Sequence, residues 1–127
     1  MVLDEEAPKQ VIQAMEKYSP DLSVHSSALR ALLSMSGCMT CRSFYDEETQ
    51  DAMRRANAVA ALVKALNLLQ QLTTKMQFET NAHKVARLAI ADAVQTLHYI
   101  CLMNRESTAQ LASLNGLKSI KTSMDCL

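Results

Sequence analysis

Arg55-Ala56-Asn57-Ala58-Val59-Ala60-Ala61-Leu62-Val63-Lys64-Ala65-Leu66-Asn67-Leu68-Leu69-Gln70-Gln71-Leu72 is the stretch on which the reading of the chain turns. Val59, Leu62, Val63, Leu66, Leu69 and Leu72 recur at steps of three and four, which is the period of a helix with one apolar face. Asn57 reads as a joint before that helix. Its end falls between Thr73 and Thr80, where β-branched residues weaken a helix. Upstream, Glu47–Ala56 forms a shorter helix that turns Ala52 and Met53 inward. A long helix followed by no strand pattern on either side sets the fold class as all-α.

Working outward, the same period returns. Glu5–Lys17 is a helix with Pro8 in its first turn, where proline is tolerated, and with Val11, Ile12 and Met15 on one face. Ser19-Pro20-Asp21 breaks it. Asp21 or Ser23 caps a second helix carrying Val24, Ala28, Leu29, Ala31, Leu32 and Met35, and Gly37 ends it. Cys38–Asp46 has no helical period and reads as a loop. Downstream, Asn81 is expected to cap a helix with Val85, Leu88, Ala89, Ala93, Val94, Leu97, Ile100 and Cys101 inward. Asn104 and Arg105 mark its end. Ser107–Ser113 is a short helix, Asn115-Gly116 a turn and Leu117–Met124 a last helix. The expectation is about seven helical segments in one domain spanning 1–127.

Short patterns also recur at repeat-like spacing. Val11-Ile12-Gln13-Ala14-Met15 resembles Leu62-Val63-Lys64-Ala65-Leu66. Ala28-Leu29-Arg30-Ala31-Leu32 lines up with Ala93-Val94-Gln95-Thr96-Leu97. The joint Arg55-Ala56-Asn57-Ala58-Val59 is echoed by Ser113-Leu114-Asn115-Gly116-Leu117. The second pair is further apart than the first, which places extra residues between Leu66 and Ala93.

With these residues in view, the sequence resembles the armadillo-repeat family. Leu102-Met103-Asn104-Arg105-Glu106, followed by Ala109-Gln110-Leu111-Ala112-Ser113-Leu114-Asn115-Gly116-Leu117, is similar to that family's junction between a third helix and the next repeat. Val11–Ser36 looks like a second and a third helix, and Asp51–Leu69 like a first helix running into a second. The resemblance covers nearly the whole chain. It implies a short right-handed armadillo-like α-solenoid of about two repeats: a partial repeat over 5–36, a full repeat over 47–103 with an insertion near 70–82, and a partial repeat over 105–127. The loop from Gly37 to Glu47 is longer than the family's pattern. A non-repeat bundle, with Leu62–Leu72 and Val85–Met103 as an antiparallel hairpin, is the alternative.

The resemblance further implies that third helices carry the binding face. The positions where importin-type members hold Trp are Arg30 and Gln95 here, and their Asn positions are Ser34 and Tyr99, so capture of an extended basic import peptide is not implied. The groove candidates are Ser26, Arg30, Ser34, Arg87, Gln95 and Tyr99. A solenoid this short exposes apolar ends, which makes Val11, Ile12, Leu117 and Ile120 candidates for an oligomer interface and a homodimer an expectation.

Composition narrows the function classes. The 127 residues hold 13 basic and 13 acidic side chains, and this balance lacks the basic excess of a nucleic-acid binder. No apolar run is long enough to span a membrane. Met1-Val2-Leu3-Asp4-Glu5-Glu6 is acidic where a secretory signal is basic, so an intracellular, cytoplasmic protein with reduced thiols is expected. Only Gly37 and Gly116 are glycines, which rules out a glycine-rich phosphate loop. Cys38-Met39-Thr40-Cys41 is the one constellation with ligand spacing, and it lacks the second pair that structural zinc wants. Zinc or thiol redox chemistry at Cys38 and Cys41 is the remote alternative. His25, His83 and His98 lack His-Glu-x-x-His spacing, and Asp46-Glu47-Glu48 reads as first-turn acids. The sequence therefore points to a non-catalytic protein-interaction module or adaptor, with no catalytic residue, metal or cofactor, and a protein as its partner. An obligate homo-oligomer is the second reading.

Overall fold

A computed structural model of the chain describes residues 5–19, 21–36 and 47–127. They form seven helices and no strand: α1 (Glu6–Lys17), α2 (Leu22–Met35), α3 (Glu47–Arg55), α4 (Ala58–Lys75), α5 (Asn81–Cys101), α6 (Arg105–Ser113) and α7 (Gly116–Met124). The residues expected to end α2 at Gly37 and to form the Cys38–Asp46 loop lie outside the described set, as does Pro20.

Local chemistry sets the boundaries. Asp21, rather than Ser23, caps α2 by accepting the Val24 N–H at 3.1 Å. α5 is capped by Thr80, whose hydroxyl accepts the His83 N–H at 3.2 Å, and not by Asn81. Thr80 has the extended backbone that a cap needs, whereas Asn81 already lies inside the helix. α6 begins two residues earlier than the sequence suggests, because Asn104 closes its first turn by accepting the Ser107 N–H at 3.0 Å.

Both joints that the sequence singles out are left-handed. Asn57 has φ 69° and Asn115 has φ 57°, a region in which asparagine is several-fold enriched among non-glycine residues. After the second joint comes Gly116. A Cβ there would overlap the Leu111 side chain and lie 2.8 Å from the Leu111 carbonyl oxygen, so the close approach of α7 to α6 requires a glycine.

One core joins the helices. Leu29, Leu32, Met53, Val59, Leu62, Leu66, Leu69, Ile90, Leu97 and Ile100 are essentially sealed from solvent. Burial of each such side chain contributes roughly 1.5–3 kcal/mol. α4 touches α1, α3, α5, α6 and α7, and α5 touches α2, α3, α4, α6 and α7. α2 and α5 lie along one another, as do α4 and α7. Leu88 departs from the sequence reading: expected inward, it is 60% exposed. The buried arc of α5 instead includes Asp92 and Thr96, because α2 covers that flank.

Polar side chains fix the helix register. Gln50 on α3 donates from Nε2 to the carbonyls of Tyr99 (2.9 Å) and Leu102 (2.6 Å) at the end of α5. Asn104 donates to Gln50 Oε1 at 3.1 Å and to Asp51 Oδ1 at 3.3 Å. Arg54 bridges Asp51 at 3.1 Å and Glu106 at 2.9 Å. Hydrogen bonds from Arg54 and then Asn104 hold the Asp51 carboxyl below its usual range. Between α4 and α7, Gln70 Nε2 donates to Ser119 O (2.9 Å) and Ser123 Oγ (2.6 Å), and the Ser119 hydroxyl donates to Asn67 Oδ1 at 2.9 Å.

Candidate functional site

Two surfaces follow from this packing. The first is the face shared by α2 and α5. Arg30 Nε lies 3.3 Å from Asp92 Oδ2, with the arginine side chain 54% exposed and the carboxylate 12%. Burial pushes the Asp92 carboxyl up from its usual range, and the Arg30 charge opposes that rise. Ser34 follows Arg30 by one turn and is exposed, as is Gln95, while Ser26 and Tyr99 are half-buried. The Tyr99 ring meets His98 edge-on at 5.3 Å between centroids. A helix turns by about 100° per residue, so Asp92, Gln95 and Tyr99 share one side of α5.

Arg87 does not belong with them. It stands five residues before Asp92, which turns it well away from α2, and it reaches Glu79 at 3.7 Å beside Lys84, Leu88 and Leu127. Asp92, which the sequence reading passed over, takes its place. The available signal was an acid inside the run Ala89–Val94, where a buried carboxylate needs a cation.

The second surface is the outer side of α5, α6 and α7. Three hollows of about 420, 400 and 540 Å³ follow one another along α5, from Leu88 and Ala91 past Val94 and Cys101 to Met103 and Ala112. Leu127 and Ile120 form the opposite wall. Of the eight exposed large apolar side chains among the described residues, Leu88, Met103, Leu114, Leu117, Met124 and Leu127 lie on these helices and the segments that flank them.

The proposed end-face residues are therefore unequal. Leu117 is 69% exposed and Ile120 half-buried. Val11 is half-buried, and Ile12 is a correction: at 4% exposed it belongs to the core, because α1 packs on α4. What remains there is a hollow of about 90 Å³ lined by Ile12, Met15, His25, Ala61, Ala65 and Leu68.

Among the described residues, no group of three or more His, Cys, Asp or Glu gathers in a way that holds a metal ion. Burial pushes the Cys101 thiol up, away from the reactive thiolate. Cys38 and Cys41 lie outside the described residues. Among the described residues no helix is long and apolar enough to cross a membrane. Comparison with protein-family models, characterised proteins and solved structures finds no match to the chain.

Proposed function

We propose that the chain is a non-catalytic protein-interaction module built as a short, right-handed, armadillo-like solenoid. Support for the architecture comes from which helices touch. Segments read as third helices, α2 and α5, lie together, those read as second helices do so as α1 with α4 and α4 with α7, and those read as first helices meet as α3 with α6. The two left-handed asparagine joints occupy matching places before α4 and α7. The observation that carries the function is the clustering of exposed apolar side chains along α5–α7. Scattered surface leucines are ordinary, but six of the eight exposed large apolar side chains among the described residues fall on α5–α7 and their flanking segments, and such a concentration supports a contact surface.

Light scattering over a concentration series, under reducing conditions and with dye binding by anilinonaphthalene sulfonate, tests this reading. The folded chain is expected to bind the dye, and the double variant Leu117→Lys, Met124→Lys to bind it less while staying folded. A folded chain that ignores the dye overturns the reading. A dimer dispersed by the same double variant transfers it to the homo-oligomer, with Leu117 and Ile120 at the interface.

A further inference from the structure

We infer that the trough along α5, α6 and α7 seats an amphipathic α-helix of another protein, about five turns long, apolar on its inner face and acidic at both ends of its polar edge. The inference rests on the interaction-module reading and names the partner's chemistry.

The molecule contains its own template for such an occupant. α5 packs against α2, α3 and α4. Counting from Asn57 and Asn115, Gly116 and Ile120 on α7 stand where Ala58 and Leu62 stand on α4. Ala58 and Leu62 have no solvent exposure in a helix that α5 packs on, whereas on α7 Gly116 is buried and Ile120 only half-buried. The trough thus offers a helix the kind of seat that α4 offers α5, with α5 itself as the second wall.

Shape selects a helix. On α5 the trough is lined by Lys84, Arg87, Leu88 and Ala91, then by Val94, Leu97, His98 and Cys101, one broad face of the helix. From Lys84 to Cys101 the wall is about 26 Å long at 1.5 Å per residue, matching about 18 helical residues. An extended peptide laid on this apolar lining would leave its backbone N–H and C=O groups without partners, whereas a helix satisfies its own.

Charge selects the partner. Lys84 and Arg87 stand at one end of the trough and Arg105 at the other. Neither Lys84 nor Arg105 has an ion-pair partner among the described residues, and the one acidic side chain in the lining, Glu79, reaches Arg87 at 3.7 Å. Two copies of this chain packed trough to trough would set these basic ends against one another, so a second copy is disfavoured. Glutamates at the ends of a partner helix would pair with them.

The test titrates the full chain with three 18-residue peptides. One has leucines at helical spacing and glutamates at both ends of its polar edge, the second has lysines for those glutamates, and the third is the glutamate peptide with a central proline. Calorimetry is expected to show the glutamate peptide binding at least about ten-fold tighter than the lysine peptide, with the proline peptide weaker still. Amide shifts should centre on Val94, Cys101 and Ile120. The double variant Lys84→Glu, Arg105→Glu, altered only at exposed positions, should reverse the charge preference. Equal affinities, undiminished proline-peptide binding, or no binding by any peptide would each overturn the inference. Shifts centred on Arg30, Gln95 and Tyr99 would also overturn it, yet leave the module reading intact. Light scattering that finds a dimer protecting Ile120 and Leu127 would give the trough to a second copy and overturn the inference as well. If dye binding is absent too, the module reading falls with it.

Discussion

α4 and α7 begin alike, each just after an asparagine in the left-handed region, and both present an apolar stripe. Their surroundings differ. Val59, near the start of α4, has no solvent exposure, while the corresponding Leu117 on α7 is 69% exposed. The two residues follow their joints at the same distance and have similar side chains. What separates them is cover: α4 is enclosed by α1, α5 and α7, and α7 meets α4, α5 and α6 on one side alone. The same amphipathic pattern becomes core in one place and an exposed face in the other.

The largest expected contrast is between truncations on the two helices. Leu62→Ala removes a fully buried side chain from α4 and should cost about 2–5 kcal/mol. Leu117→Ala should shift stability by no more than about 0.5 kcal/mol. Urea unfolding of both variants measures this, and equal losses would mean that α7 is covered in solution. The two joints should diverge next. Gly116→Ala, ordinarily a gain within a helix, should cost about 1–3 kcal/mol because the added Cβ meets Leu111 side chain and backbone. At the first joint, Ala58→Gly should lose about 1 kcal/mol from helix propensity and no more if the site tolerates the missing methyl. A Gly116→Ala variant more stable than wild type would show that α6 and α7 do not approach as described.

A smaller effect tests the polar register at the end of α5. Asn104→Ala removes the α6 cap and the hydrogen bonds to Gln50 and Asp51, and should cost about 1–2 kcal/mol by chemical denaturation. The smallest effect is electrostatic. Asp92 is raised by burial, so its contribution to stability is fully present below 3.8 and is lost as pH rises through its folded value. Asp51 is lowered, so its contribution is present above 3.8 and lost as pH falls through its folded value. Stability of Asp92→Asn relative to wild type should therefore improve from acid to neutral pH, and that of Asp51→Asn should worsen. Parallel pH profiles for both variants would mean that the Arg30 charge outweighs the burial of Asp92.

Much of the helix order was legible because it depends on near neighbours in the chain. Apolar residues at steps of three and four, Pro8 in a first turn and Asp21 before Leu22 act within a few residues of one another. The failures were of another kind. Leu88 fits the apolar period of α5 yet is exposed, and Asp92 breaks that period yet is buried beside Arg30. Ile12 fits an open end and is closed by α4, while Arg87 fits the groove by residue type and is turned away from it. Asn104 reads as the end of one helix and serves as the cap of the next.

The amino-acid sequence by itself determined that the described chain is helical, where its joints fall, and which stripe of each helix is apolar. Helical periodicity and capping are local, so they survive without knowledge of the partners in space. Only the tertiary structure decided which stripes are sealed and which stay open. Burial depends on the helices that arrive from elsewhere in the chain: α2, α3 and α4 enclose one side of α5, and the side along Val94, Cys101 and Met103 keeps its trough.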